Sequence, residues 1–293
     1  MIPRALNQKT LRHLSFEAFL DAAQQLGCVG VEPRNDLGRP FFDGIDPGLA
    51  GQMARDRGLR LLGLSEVYGF NVWDDERAAQ IAALVETAVE SGAETISLIP
   101  TVDARPTRAL REVMRDIKHL VAGTQVQPLI EPIGFESSSL RYKAELVDSI
   151  EAVGWGVKLV HDTFQHCISG ERELFAPYTA MVHISGISAS DVMLDTSQDA
   201  HRVLVDERDR CGNHAQIAAL LEAGYTGAFS FECTEPTLLE RPNLIREIGA
   251  SFRTIEADLS CRPVVKRSDL LGSRRMSKCR VVSTFCGSKS RSG

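Results

Sequence analysis

Short apolar runs alternate eight times with longer stretches of helical period, and this alternation constrains the fold more than any other property of the chain. The runs fall near residues 3–7 (PRALN), 29–33 (VGVEP), 60–65 (RLLGLS), 95–99 (TISLI), 126–131 (VQPLIE), 157–162 (VKLVHD), 180–185 (AMVHIS) and 228–232 (AFSFE). Between them, SFEAFLDAAQQLG, DDERAAQIAALVETAVESGA and NHAQIAALLEAGY read as helices. Ser15, Asp74 and Asn213 stand as their capping residues, and each closes at or near a Gly. Strand followed by helix, eight times over, predicts a (β/α)8 barrel. An open doubly wound sheet is the alternative, but no GxGxxG or GxxxxGK[ST] follows the first strand, so nucleotide binding has no support.

The chain has 293 residues, 43% of them hydrophobic, which suits one large barrel. We expect that barrel over residues 1–257, and a flexible basic tail over 258–293, where Ser, Arg and Lys replace the helical period. The formal charge of −6 is unevenly spread: residues 1–260 hold 24 basic and 38 acidic side chains. An acidic body argues against nucleic acid as a partner, because phosphate binding needs clustered Lys and Arg. Seven cysteines without CxxC spacing predict free thiols. No signal-like apolar run opens the chain and none reaches membrane-spanning length, so the expectation is a cytoplasmic protein with no membrane partner.

Four of the last strands end in ionisable residues: Glu131, Asp162, His183 and Glu232. In a parallel barrel the carboxyl ends of all strands share one face, so these four can surround one ion. Three carboxylates and one imidazole suit Mn²⁺, Mg²⁺, Co²⁺ or Zn²⁺ rather than a thiolate-bound structural zinc. They nearly neutralise a divalent charge and leave positions for a carbonyl and its neighbouring hydroxyl, the arrangement needed to stabilise an enediolate. A carboxylate beside the ion can then carry a proton between carbons.

Other strand-end residues are candidates for contact with a substrate: Asn7, Glu32 with Arg34 and Asn35, Glu66 with Tyr68, Gln165, His166, and Arg202 in the long connection 184–212. Arg202 reads equally as a loop salt bridge to Asp199 or Asp206. His161 should point to the opposite side of its strand from Asp162 and serve packing or outer support. Phe70 and Trp73 form either a lid or plain packing under the loops. The SSSLR stretch reads as a helix cap, with Glu136 as a candidate outer acid.

The motifs LNQKTL, VEPRNDL, IEPIGFESSSLR, LVHDTFQHCISGE, MVHISGI, DAHRVLV, DRCGN and FSFE occur in the order found in xylose isomerase-like TIM barrels. More narrowly, residues 3–257 resemble bacterial 2-keto-myo-inositol isomerases of inositol catabolism. The resemblance implies metal ligands at Glu131, Asp162, His183 and Glu232, with Glu131 and Glu232 also moving the proton on opposite faces of the substrate. It implies one divalent metal ion as cofactor, a keto-polyol as substrate, and interconversion of 2-keto-myo-inositol and 1-keto-D-chiro-inositol through a metal-bound enediolate. Barrels of this class often pair, so a homo-oligomer is compatible with the resemblance. The family often carries Asp-x-x-His after the sixth strand, whereas here Gln165 stands at the fourth position and His follows at 166. A ketose 3-epimerase, an inosose dehydratase and a catalytically silent sugar-binding protein remain as alternatives on the same barrel.

Overall fold

A computed structural model describes residues 1–154 and 156–261. Each of the eight expected runs forms strand, the third split in two: β1 Arg4–Asn7, β2 Gly30–Glu32, β3 Arg60–Leu61, β4 Leu64–Tyr68, β5 Thr95–Ile99, β6 Gln127–Ile130, β7 Lys158–Asp162, β8 Thr179–Ile184 and β9 Phe229–Phe231. All pair in parallel, in the order β3-β2-β1-β9-β8-β7-β6-β5-β4. Among the described residues, eight α-helices cover the sheet: α1 Phe16–Gln25, α2 Pro47–Asp56, α3 Asp75–Ser91, α4 Leu110–Leu120, α5 Lys143–Val153, α6 Thr163–Ser169, α7 Asn213–Glu222 and α8 Leu244–Cys261.

The run expected as one strand over 60–65 is broken into β3 and β4, the two ends of the sheet order. A Cβ at Gly63 would lie 2.5 Å from Thr95 Oγ1, and that hydroxyl donates to the Leu62 carbonyl at 2.8 Å, a side-chain bond where a regular ladder would have backbone. Closure passes instead through the Arg34–Ser65 bridge, with Asn35 N donating to Ser65 O at 2.9 Å and Ser65 N to Pro33 O at 3.1 Å. The register then shifts between Ser65 and Val67, beside Glu66.

Two of the expected caps are present. Ser15 Oγ accepts Ala18 N–H at 3.3 Å, and Asp74 Oδ1 accepts Arg77 N–H at 2.7 Å. Asn213 is not a cap: Gly212, at φ 70°, precedes it, and Asp209 receives both its N–H at 2.8 Å and its Nδ2 at 3.0 Å. The serines of SSSLR do not cap α5 either; Glu171 does so from a distant loop, accepting Lys143 N at 3.1 Å and Ala144 N at 3.0 Å. Helix α8 runs past the boundary expected at 257, and the expected tail lies outside the described residues from 262 onward.

Strand alternation divides the core. Phe229 and Phe231 point outward into the helix layer, fully buried, while Ser230 and Glu232 point into the barrel. Each such aromatic contributes about 1.5–3 kcal/mol by leaving water. Ala5, Leu62, Leu129, Val160, Met181 and Ala228 form a separate apolar layer. Four of them lie two residues before Asn7, Glu131, Asp162 and His183, so the layer is one step deeper along the strands and fills the barrel floor. The five described cysteines form no disulfide, and no described helix is long and apolar enough to cross a membrane.

Candidate metal centre

Glu131 follows β6, its N–H bonded to Leu98 O at 3.3 Å, and Asp162 ends β7. His183 sits in β8 in register with Asp162 on one side and Ser230 on the other, and Glu232 follows β9 with its N–H on Ile184 O at 3.1 Å. Adjacent strands at one level therefore bring the four together: one ligand atom from each lies within 4.8 Å of the others, and all four residues are buried. Asp162 is additionally fixed because its Oδ1 accepts Gln165 N–H at 2.8 Å, capping α6.

The donor set fits a divalent cation. His183 Nδ1 is buried, lies 3.3 Å from both Glu131 Oε2 and Glu232 Oε2, and makes no aligned hydrogen bond; its Nε2 faces Glu32 Oε1 at 3.1 Å. Burial pushes the Glu131 carboxyl up to about 7 against the pull of His183. Burial also raises Asp162, against the pull of Arg202. Glu232 goes the other way: burial opposes ionisation, but His183, Arg202 and Arg34 hold its carboxyl well below the usual range. Arg34 Nη1 reaches Glu232 Oε1 at 2.7 Å and Arg202 Nη2 reaches Oε2 at 2.9 Å, so each oxygen has its own guanidinium.

Above the tetrad lies a cavity of about 330 Å³. Its polar wall includes Lys9, Arg34, Asp36, Glu66, Gln165 and Arg202; its apolar wall is Tyr68, Ile99, Val102, Ile133 and Phe135. Of the residues proposed for substrate contact, Arg34, Glu66, Tyr68, Gln165 and Arg202 line the cavity. Four do not. Asn35 holds the Glu66 backbone instead, accepting its N–H at 2.8 Å and donating to its carbonyl at 3.1 Å. Asn7 is buried beneath it, accepting Lys9 N–H at 3.0 Å. Glu32 lies under His183. His166 turns behind β7, where its Nδ1 meets Lys143 Nζ at 2.5 Å and its ring lies 5.0 Å from that of His161. His161 is supported as expected from the far side, by Gln216 at 2.8 Å and Lys143 at 3.2 Å. Phe70 is fully buried in the core and Trp73 packs against it, so both are packing residues. Glu136 is exposed.

Arg202 forms the loop salt bridge to Asp199, with Nη1 at 3.3 Å, and in addition places Nη2 on Asp162 and Glu232. Sequence reasoning missed Lys9 and Asp36, paired with each other across the first two strand ends. Both stand inside LNQKTL and VEPRNDL, so the signal was within quoted motifs but not at a strand's last residue. A larger groove of about 470 Å³ between the 203–208 segment and α8 contains no tetrad residue.

Residues 20–255 match the family described as xylose isomerase-like TIM barrel. The chain belongs to that family. Among solved structures, a xylose isomerase domain containing protein from Salmonella typhimurium is 28% identical, covering 88% of this chain and 97% of that one, with a TM-score of 0.79. The IOLI protein, solved with a binding zinc atom, is 16% identical over 88% of this chain and 98% of that one, TM-score 0.76. L-ribulose 3-epimerase is 17% identical over 94% of this chain and all of the other, TM-score 0.65. No curated protein matches the chain. As a xylose isomerase-like barrel, the molecule carries the buried Glu/Asp/His/Glu set at the carboxyl ends of its strands, the face on which barrels of this architecture place their active sites.

Proposed function

We propose that this xylose isomerase-like barrel is a divalent-metal-dependent isomerase of a neutral cyclic keto-polyol, interconverting 2-keto-myo-inositol and 1-keto-D-chiro-inositol. The observation that carries the reading is the tetrad at the base of a cavity whose cations are all paired: Lys9 with Asp36, Arg34 with Asp36, Glu66 and Glu232, and Arg202 with Asp162, Asp199 and Glu232. Among the described residues, no cation lining the cavity is left over for a phosphate or carboxylate on the substrate, which favours an uncharged polyol. The apolar wall suits the C–H face of a ring. The likeness to the IOLI protein and to L-ribulose 3-epimerase supports a metal-bound keto-sugar chemistry of this kind.

A divalent ion held by Glu131, Asp162, His183 and Glu232 would supply a Lewis acid for a carbonyl oxygen and its neighbouring hydroxyl. Glu232, kept ionised by His183 and two arginines, takes the proton from the hydroxyl-bearing carbon. Glu131 delivers a proton to the former carbonyl carbon while the hydroxyl proton passes to the former carbonyl oxygen, and the roles exchange in reverse. The C–H bond breaks at one carbon and forms at its neighbour, so no oxidant is consumed. Arg202 lies beside the tetrad to hold the negative charge that develops on oxygen. Gln165 Oε1 accepts Gly134 N–H at 2.9 Å, which directs Nε2 to the cavity as a donor to a substrate hydroxyl.

The test is proton NMR of metal-loaded protein with 2-keto-myo-inositol in D₂O. The expected result is exchange of the proton beside the carbonyl and growth of 1-keto-D-chiro-inositol. A dione formed with loss of water would assign a dehydratase, and an epimer at the neighbouring carbon an epimerase. Absence of exchange with a bound ion present would leave only a binding role.

A further inference from the structure

We infer that Glu32 is a positioning residue for the metal ligand His183. It ends β2, in register with Asn7 of β1, and its side chain projects into the barrel at 1% exposure. It does not line the cavity, so it acts on a substrate only through another group. Oε1 receives His183 Nε2 at 3.1 Å, which commits that nitrogen as the N–H and leaves Nδ1 to face Glu131 and Glu232. The tautomer and the ring angle are thereby set from below.

Oε2 of Glu32 is buried and has no hydrogen-bond partner among the described side chains and backbone. A buried carboxylate with one bare oxygen costs several kcal/mol unless positive charge lies nearby. A neutral imidazole offers only one hydrogen bond. A divalent ion held on the far side of the ring, where Nδ1 faces Glu131 and Glu232, would supply the offsetting charge. Glu32 and His183 would then make the pair by which an outer carboxylate raises the basicity of a ligating histidine.

This inference rests on the tetrad reading. The test uses the full chain and two variants, Glu32→Gln, which keeps an oxygen acceptor for Nε2 but loses the charge, and Glu32→Leu, which loses both. Titration calorimetry with Mn²⁺ reads affinity, circular dichroism melting without added metal reads folding, and the visible spectrum with Co²⁺ reads the ligand field. E32Q should bind Mn²⁺ about 10-fold more weakly than wild type and E32L about 100-fold more weakly, with the Co²⁺ bands displaced in E32Q. If E32L does not fold, the E32Q ratio decides alone. Wild-type binding with both variants within twofold of it, or lowered melting with unchanged affinity, overturns the role of Glu32 and leaves the tetrad intact. A wild-type protein that binds no divalent ion overturns both.

Discussion

The guanidinium of Arg202 lies 2.9 Å from Glu232, so a residue of the long 184–212 connection grips a carboxylate of the metal centre. The same Nη2 donates to Asp162, Nε reaches Ser185 Oγ at 3.0 Å, and the guanidinium stands 5.2 Å from the Phe164 ring centre. A loop cation held this firmly competes with a metal ion for the carboxylates yet serves any oxyanion formed above them. Arg202→Met should therefore bind Mn²⁺ no more weakly than wild type, while kcat/KM for the keto-polyol falls about 100-fold. Calorimetry and the NMR assay measure the two effects separately. Turnover equal to wild type would remove Arg202 from the chemistry.

Metal removal should be visible in stability as well as activity. The tetrad gathers three carboxylates and an imidazole in a buried space, so an ion at 100 times its Kd adds about 2.7 kcal/mol to folding. For a chain of this size that raises the melting temperature by about 4–5 °C. Differential scanning calorimetry of chelator-treated and Mn²⁺-reloaded protein should show this difference, and an unchanged melt would argue against a bound ion.

Acid should weaken the region behind β7. Burial, then the charge of Lys143, holds His166 down to about 3, and burial and Lys143 hold His161 well below its ordinary value, with Glu171 3.5 Å from Lys143. Because the unfolded histidine takes up its proton near 6.5, the stability contributed by His166 is complete above pH 6.5 and is lost as pH falls toward 3. Lys143, lowered to about 8 chiefly by burial, adds a slope of the same sign between 8 and 10.5. His166→Gln should reduce the slope of unfolding free energy between pH 6 and 4 by about 1.4 kcal/mol per pH unit. Urea melts across that range test it; an unaltered slope would show that His166 does not carry the effect.

Gly134 is required by its neighbours. A Cβ there would meet the Gln165 carbonyl oxygen at 2.3 Å and Ile168 Cγ1 at 2.7 Å, contacts that force the start of α6 away. Gly134→Ala should cost about 1–3 kcal/mol by overpacking. It should also raise KM for the polyol, because displacing α6 carries the Gln165 amide away from the backbone N–H of residue 134 that orients it. A variant with wild-type melting and KM would show that α6 yields without consequence.

The barrel and its tetrad were legible because both depend on local signals, apolar runs that fit single strands and a polar residue where each run stops. What escaped depends on contacts distant in sequence. Gly63 and Thr95 break the third strand through a side-chain bond between neighbouring strands. Glu171 caps α5 from 28 residues away, which no reading of the preceding serines could show. His166 follows Asp162 by four residues and looked close to the site, but the helix begun by Asp162 rotates it toward Lys143. Glu32 looked like a rim residue because its strand ends there, yet its direction is set by the barrel's interior layer.

Among the described residues, the apolar floor of Ala5, Leu62, Leu129, Val160, Met181 and Ala228 closes the barrel beneath the centre, which opens into the cavity above it. On the proposed reading, a product would depart by the path its successor enters. Accumulated product should then act as a competitive inhibitor.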